Sequence, residues 1–358
     1  MPVYKNKDNG TWYVMTQYTD WKGERKPKCK RGFATKREAQ DWEQKFQQQS
    51  SGDLDMPFSA FVEIYCREQQ PRLKESTWQT KENIIQQKIL PYFKDRKINE
   101  ITTKDVRAWQ NEMLAYRNEE NKPYSSSYLK TLHNQLSAIF NYAVRFYDLR
   151  SNPASKAGNM GSEERKKMLF WTKEEYQKFS EVMMDKPLSY YAFQMLYWTG
   201  IREGELLALT PADFDFEKGT VKISKTYQRL KGQDVITSPK TKKSNRTVQM
   251  PDFLCTEIQE FFGMQYGLKK KDRVFTVTKS YLHHEMDRGA KEAGVKRIRI
   301  HDLRHSHISL LIDMGFSAVA IADRVGHESI EITYRYAHLF PSKQKEMAVK
   351  LDFMNKGV

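Results

Sequence analysis

The chain has 358 residues, 60 Lys+Arg against 45 Asp+Glu, and a net charge of +15. With 39% hydrophobic and 13% aromatic residues it can build real cores, which excludes wholesale disorder, and its length implies two or three domains. No apolar run reaches the roughly 18 residues that cross a bilayer, and the polar start "MPVYKNKDNG" is no signal peptide. The three cysteines, Cys29, Cys66 and Cys255, are isolated, which argues against a disulfide framework or structural zinc and for a reducing cytoplasm. A surplus of this size is most simply a means of holding a polyanion.

Residues 1–50 read as a small module of three strands and a helix. "TWYVMTQY" alternates, with Trp12, Val14, Thr16 and Tyr18 on one face. A further strand fits 26–33, and Thr35-x-x-Glu38 is a capping box opening a helix whose apolar face is Ala39, Trp42 and Phe46. The module holds eleven Lys or Arg against six Asp or Glu. So small a sheet covers one face with its helix and leaves the other for a partner. A sheet laid in a DNA groove is one such mode, with Trp12, Tyr13, Lys28 and Lys30 as the expected contacts.

Residues 56–148 read as four helices in one bundle. The first carries Phe58, Phe61, Val62 and Tyr65; the second fits 76–89, closed by Pro91. The third runs from Thr102 to Tyr116, and the fourth begins near Ser125. His133 is a lone helical histidine, expected to be structural. Residues 149–164, with "SNP" and "GNMG", read as an inter-domain linker.

Residues 165–358 form the last domain, mainly helical with a small antiparallel sheet, so the whole is a multi-domain α+β chain. Thr172-x-x-Glu175 is another capping box. A helix stops at Gly200, and "TGIREGELLAL" then sets Arg202 and Glu205 on one helix face. A pair of strands is expected at 220–224 and 235–238, then the basic turn "PKTKKSNRTV" with Lys240, Lys242, Lys243 and Arg246. Helices follow at 251–266 and 280–293. "HDLRHSH" brings His301, Arg304, His305 and His307, "VGHESIEITYRYAHL" brings His327, Tyr334, Tyr336 and His338, and a helix at 342–354 ends the chain.

Arginines, a lysine and histidines make a poor cation site, and no carboxylate or Cys/His cluster has metal spacing. The set suits phosphate instead. Guanidinium groups grip two oxygens at once and stabilise charge on five-coordinate phosphorus. Histidine and lysine move protons, and a tyrosine hydroxyl can become a covalent phosphotyrosine.

The ordered series Arg202, Lys240, His301-x-x-Arg304, His327 and Tyr336, the last two separated by nine positions, resembles the tyrosine recombinase (phage integrase) family. The likeness covers essentially the whole chain and is nearest to integrases of phages and conjugative transposons from Gram-positive bacteria. It implies that 1–50 is an arm-site DNA-binding domain, 56–148 a core-binding domain and 165–358 the catalytic domain. By resemblance Tyr336 is the nucleophile, leaving a 3′-phosphotyrosine. Arg202 and Arg304 bind the non-bridging oxygens. His301 accepts the tyrosine proton, Lys240 protonates the departing 5′-oxygen, His327 supports the transition state, and Glu205 orients Arg202. Lys242 or Lys243 is an alternative to Lys240, and Tyr334 to Tyr336. Lys242, Lys243 and Arg246 are otherwise expected on DNA. No metal and no cofactor is implied. The implied partners are duplex DNA at core and arm sites, three further copies in a homo-tetramer, a directionality factor and a host DNA-bending protein, and no membrane. The implied location is the bacterial cytoplasm, on the nucleoid. A type IB topoisomerase and an inactive DNA-binding regulator are the rival readings.

Overall fold

The structure is a computed structural model that describes residues 3–6, 10–19, 25–50, 54–162, 168–239, 242–334 and 336. Lys240 and the expected helix at 342–354 lie outside them. The chain divides into two compact units, Met1–Lys166 and Lys167–Val358. Among the described residues, no helix is long and apolar enough to cross a membrane.

In the first unit, strands β1 (Val3–Lys5), β2 (Trp12–Thr19) and β3 (Arg25–Phe33) form an antiparallel sheet in that order, followed by α1 (Lys36–Ser50). The expected box forms: the Glu38 N–H donates to Thr35 Oγ1 at 3.2 Å, and the Thr35 N–H to the Glu38 carboxylate at 3.3 Å. Val14 and Thr16 are buried, as the alternation predicts.

The helical part comprises α2 (Phe58–Gln69), α3 (Glu75–Ile84), α4 (Leu90–Phe93), α5 (Thr103–Ala115), α6 (Ser126–Phe146) and α7 (Pro153–Ala157). Two expectations change. The helix expected to close at Pro91 instead runs to Phe93 by way of a π turn at Ile85–Ile89. Pro91 has no N–H to donate, and the wider turn leaves the Lys88 carbonyl to accept the Trp109 indole N–H at 2.9 Å. The expected linker at 149–164 is also largely folded. Asn152 caps α7 by accepting from the Ser155 N–H at 3.0 Å, Pro153 takes the first helical position, and Ala154 is fully buried in the bundle core. A Pro after Asn therefore starts a helix here. The Ser162 N–H then donates to Ser126 Oγ at 2.8 Å, closing the segment onto α6. His133 is buried and accepts from Gln110 at 3.1 Å, a structural role.

The second unit opens with α8 (Lys173–Met183), capped by Thr172 and Glu175 as expected, and α9 (Pro187–Thr199). After α10 (Glu203–Leu206) come β4 (Phe214–Asp215), β5 (Thr220–Ile223), β6 (Thr226–Leu230), β7 (Gln233–Thr237) and β8 (Arg246–Gln249). The two expected strands do not pair with each other. β5 lies between β4 and β8, and β7 pairs with β6 in a hairpin of its own. Lys231 and Gly232, with φ of 49° and 81°, form its two-residue turn. Helices α11 (Asp252–Met264), α12 (Lys279–Glu292), α13 (Ile300–Asp313), α14 (Ala318–Val325) and α15 (Ile330–Tyr334) complete the unit. A large core joins α8, α9, α11 and α12 to the sheet, and a smaller cluster of Ile308, Ile312, Ile321 and Val325 receives the ring of Tyr336.

Candidate active site

Two left-handed glycines frame the site. Gly200 (φ 66°) ends α9 and Gly326 (φ 69°) ends α14. A Cβ at Gly200 would lie 2.5 Å from the His307 ring, and one at Gly326 2.9 Å from Arg246 Cδ, so neither position has room for a side chain. The carbonyls these turns expose receive arginines. Arg304, on α13 and 3% exposed, donates to the Gly200 carbonyl at 2.8 Å and the Val325 carbonyl at 2.6 Å. Arg202, at the start of α10, reaches the Gly326 carbonyl at 3.5 Å.

Glu205 is buried among these cations. It accepts from the Arg202 N–H at 2.9 Å, from Arg202 Nη1 at 2.8 Å and from Arg246 Nη2 at 3.0 Å. Its pKa is shifted by burial, which raises it, but the two arginines outweigh that and hold it below the ordinary carboxylate value. Burial and the charges of Arg202 and Arg246 push the Arg304 guanidinium down to about 9, so it remains a cation at neutral pH.

His327 is buried, with Nδ1 2.8 Å from Thr333 Oγ1. Burial and Arg304 depress it to about 3, so the ring is neutral. If the threonine hydroxyl donates to Nδ1, the proton sits on Nε2, free to donate to an anion. His301 is exposed, yet the surrounding protein and Arg304 lower its pKa too. Tyr336 is 3% exposed, and its hydroxyl hydrogen-bonds His305 Nδ1. Tyr334 is 55% exposed. His307 is buried under Gly200 and accepts from Arg324 Nε at 3.1 Å, a structural role.

Beside Arg202 lies a cavity of about 630 Å³, bordered by Glu203, Thr226, Arg229, Lys279, Ser280 and His301. Burial pushes Glu203 up to about 7, against the opposing pull of Lys279. Among the described residues, no group of three or more His, Cys, Asp or Glu could hold a metal ion. The donors that converge here are guanidinium and imidazole groups, which suit an anion.

The structure therefore brings together Arg202, Glu205, His301, Arg304, His327 and Tyr336. Of the residues expected on DNA, Lys243 is exposed, but Arg246 is not available. Its side chain is 7% exposed and bound to Glu205. In the N-terminal sheet, opposite residues share a face. Tyr13 pairs with Tyr4 and Arg31, and Tyr13 stacks on Tyr4 at 5.5 Å under the Arg31 guanidinium. Lys28 and Lys30 pair with Thr16 and Val14 and so sit on the helix side, as does Trp12. Lys30 Nζ is 5.1 Å from the Trp42 ring of α1, and Lys36 lies 5.8 Å from Trp12. The open face is thus carried by Tyr4, Tyr13, Met15 and Arg31. Reasoning from sequence leaves Tyr4 and Arg31 out of the expected DNA contacts, sets Arg246 on DNA rather than on Glu205, and gives His305 no catalytic role. The strand register would have found the first two, and the Asp302-x-x-His305 spacing the last.

Residues 170–343 match the phage integrase family, residues 57–114 its N-terminal SAM-like domain and residues 2–50 the arm DNA-binding domain. The chain is 30% identical over 339 residues to the ICEBs1 integrase of Bacillus subtilis, covering 89% of this chain and 90% of that one. Its fold is similar to the Tn1549 transposon integrase in complex with transposon right end DNA (TM-score 0.67, 18% identity, 84% of this chain and 100% of that one). It is also similar to a lambda integrase tetramer bound to a Holliday junction (TM-score 0.59, 17% identity, 96% and 95%). The chain belongs to the phage integrase family, the tyrosine recombinases. It is a site-specific DNA recombinase of a mobile element.

Proposed function

We propose that the chain cuts and rejoins duplex DNA through a 3′-phosphotyrosine on Tyr336. The observation that carries this is a pocket in which Arg304 is held by two backbone carbonyls and Arg202 by Glu205 and the Gly326 carbonyl, beside a buried tyrosine hydroxyl. One buried carboxylate, Glu205, pairs with both Arg202 and Arg246, and Arg304 is held by carbonyls, so these three cations keep the pocket positive for a phosphate. The two guanidiniums would bind the non-bridging oxygens and stabilise the five-coordinate transition state. Neutral His327 would donate to one of those oxygens. The histidines of α13 would move protons, His301 being the one the resemblance assigns. Lys240, or one of its neighbours Lys242 and Lys243, would protonate the leaving 5′-oxygen. Glu205 positions Arg202 and, with it, Arg246. The phosphodiester energy is kept in the covalent link, so a 5′-hydroxyl from another strand can reseal it.

In this reading, residues 1–50 bind arm sites through the open sheet face, and the helical part up to residue 162 binds core sites. The protein would work on the bacterial nucleoid as a tetramer on DNA, helped by a directionality factor and a DNA-bending host protein. The relation to integrases solved on DNA supports the DNA partner. A nicked suicide duplex carrying the core site tests the proposal. Wild type should be trapped covalently and Tyr336→Phe should not. Equal trapping of the Phe variant would remove Tyr336 from the role, and no trapping of either would favour an inactive DNA-binding regulator. Recombination between two marked sites, as against relaxation of one plasmid, separates a recombinase from a topoisomerase.

A further inference from the structure

We propose that His305 holds the Tyr336 hydroxyl and takes its proton, with Asp302 orienting the imidazole for that task. The inference rests on Tyr336 being the nucleophile and departs from the resemblance, which gives the proton to His301.

Three contacts form a chain. His305 Nδ1 hydrogen-bonds the Tyr336 hydroxyl, and the two rings lie 5.5 Å apart. On the other side of the imidazole, Nε2 is 3.6 Å from Asp302 Oδ1. Asp302 is fully buried and fixed in turn: it accepts from the Arg299 N–H at 2.8 Å and from Arg299 Nη2 at 2.7 Å. Residues three apart on a helix share a face, so the carboxylate and the imidazole meet without any loop to position them. A carboxylate beside Nε2 favours the proton there, which leaves the Nδ1 lone pair for the tyrosine O–H. This is the order in which a buried carboxylate, a histidine and a hydroxyl nucleophile act as a unit.

The charged groups around His305 are Asp302, His301, Arg304 and Arg299 from α13 and its cap, with His327 and Tyr336 from the segment after α14. Burial, His301 and the arginines hold the imidazole down at about 4, so at neutral pH it is an acceptor. A phosphodiester entering the pocket is an anion, and it would raise the imidazole towards the working range. The step balances. The Tyr336 proton moves to Nδ1, the phenolate oxygen bonds to phosphorus, and the P–O5′ bond breaks. The 5′-oxygen leaves with a proton from Lys240 or one of its neighbours, Lys242 and Lys243. On resealing, a 5′-hydroxyl gives its proton back to that lysine as it attacks phosphorus, the Tyr336–phosphorus bond breaks, and the tyrosine oxygen recovers its proton from His305. Asp302 stabilises the imidazolium between the two steps. His301, whose ring stands edge-on at 5.1 Å from His305, is left to serve the phosphate.

The test uses the full chain and a nicked duplex carrying the core attachment site, which can be read from the DNA flanking the gene. Adduct formation is followed under single-turnover conditions. Wild type trapped and Tyr336→Phe untrapped establishes the reading beneath the proposal; no trapping of wild type would overturn both. With that established, His305→Ala and His305→Gln should each slow trapping by about a hundredfold or more, with core-site binding unchanged. Asp302→Asn should slow it by about tenfold by weakening the hold on the Nε2 proton. His305→Ala trapping at or above the wild-type rate would overturn the proposal. So would His305→Gln at the wild-type rate, because glutamine can accept a hydrogen bond but cannot carry the proton away. His305→Gln nearly preserves the shape of the side chain, so the test stands even if the Ala variant unfolds.

Discussion

The open face of the N-terminal sheet and the pocket of the second unit both present arginine, but under opposite physical conditions. Arg31 is exposed and leans on the Tyr13 ring with its charge in water. Arg304 is 3% exposed and tied to two carbonyls. A solvated charge gives affinity that is screened by salt and tolerant of position. A buried charge of fixed direction gives little extra affinity but acts strongly on whatever charge develops beside it. On the proposed function the same residue type would therefore do binding work in one place and chemistry in the other, with exposure deciding which.

The sharpest way to break this contrast is at Glu205. Glu205→Ala leaves Arg246, 7% exposed, without its carboxylate partner. Loss of one partner of a buried pair costs about 3–5 kcal/mol, to be read as a lower urea midpoint for the second unit, with DNA cleavage lost as well. Next comes Arg304→Lys, which keeps the charge but cannot reach both carbonyls. Cleavage of the core site should fall by about 10²–10³, a loss of transition-state stabilisation, while binding to the same duplex holds; an equal fall in binding would mean that the buried cation does ordinary affinity work.

A smaller effect attaches to Glu203. Its folded pKa of about 7 lies above the ordinary carboxylate value, so its ionisation opposes folding. That cost is absent below pH 4, grows between the two values and is complete above pH 7. Glu203→Gln should gain up to about 3 kcal/mol over wild type at pH 8 and nothing at pH 4; a gain independent of pH would refute the assignment. The smallest effect is expected on the exposed sheet. Tyr13→Ala with Arg31→Ala should weaken arm-site binding about tenfold and lower its salt slope by about one, with core cleavage unchanged. Lys28→Ala and Lys30→Ala, on the helix side, should do less.

Much of this arrangement was legible in the sequence because its signals are local. Thr35, Thr172 and Gly200 punctuate helices at positions that short-range chemistry sets, and the motif around Arg202, His301 and Tyr336 carries its own order. What escaped depends on distant partners. Arg246 looked like one cation in a basic run, since nothing in a run of lysines announces a carboxylate 41 residues earlier. Lys28 and Lys30 were expected on the open sheet face, but the pairing of β3 with β2 turns them to the helix. The β6–β7 hairpin was overlooked because Lys-Gly is a weaker turn signal than Asn-Gly, so β5 was given the wrong neighbour. Pro153 was expected to break structure; the Asn152 side chain made it a beginning.

The carbonyls of Gly200, Val325 and Gly326 have one more consequence. A carboxylate on Arg304 would neutralise it and bring a proton equilibrium of its own, as Glu205 does for Arg202 and Arg246. Peptide dipoles at helix ends supply a counter-field with neither drawback. They carry no ionisable proton and no net charge. The pocket can therefore keep Arg304 buried and its overall sign positive near neutral pH. That part of the apparatus is encoded in where two helices stop, at the glycines just ahead of Arg202 and His327, rather than in the side chains that would do the chemistry.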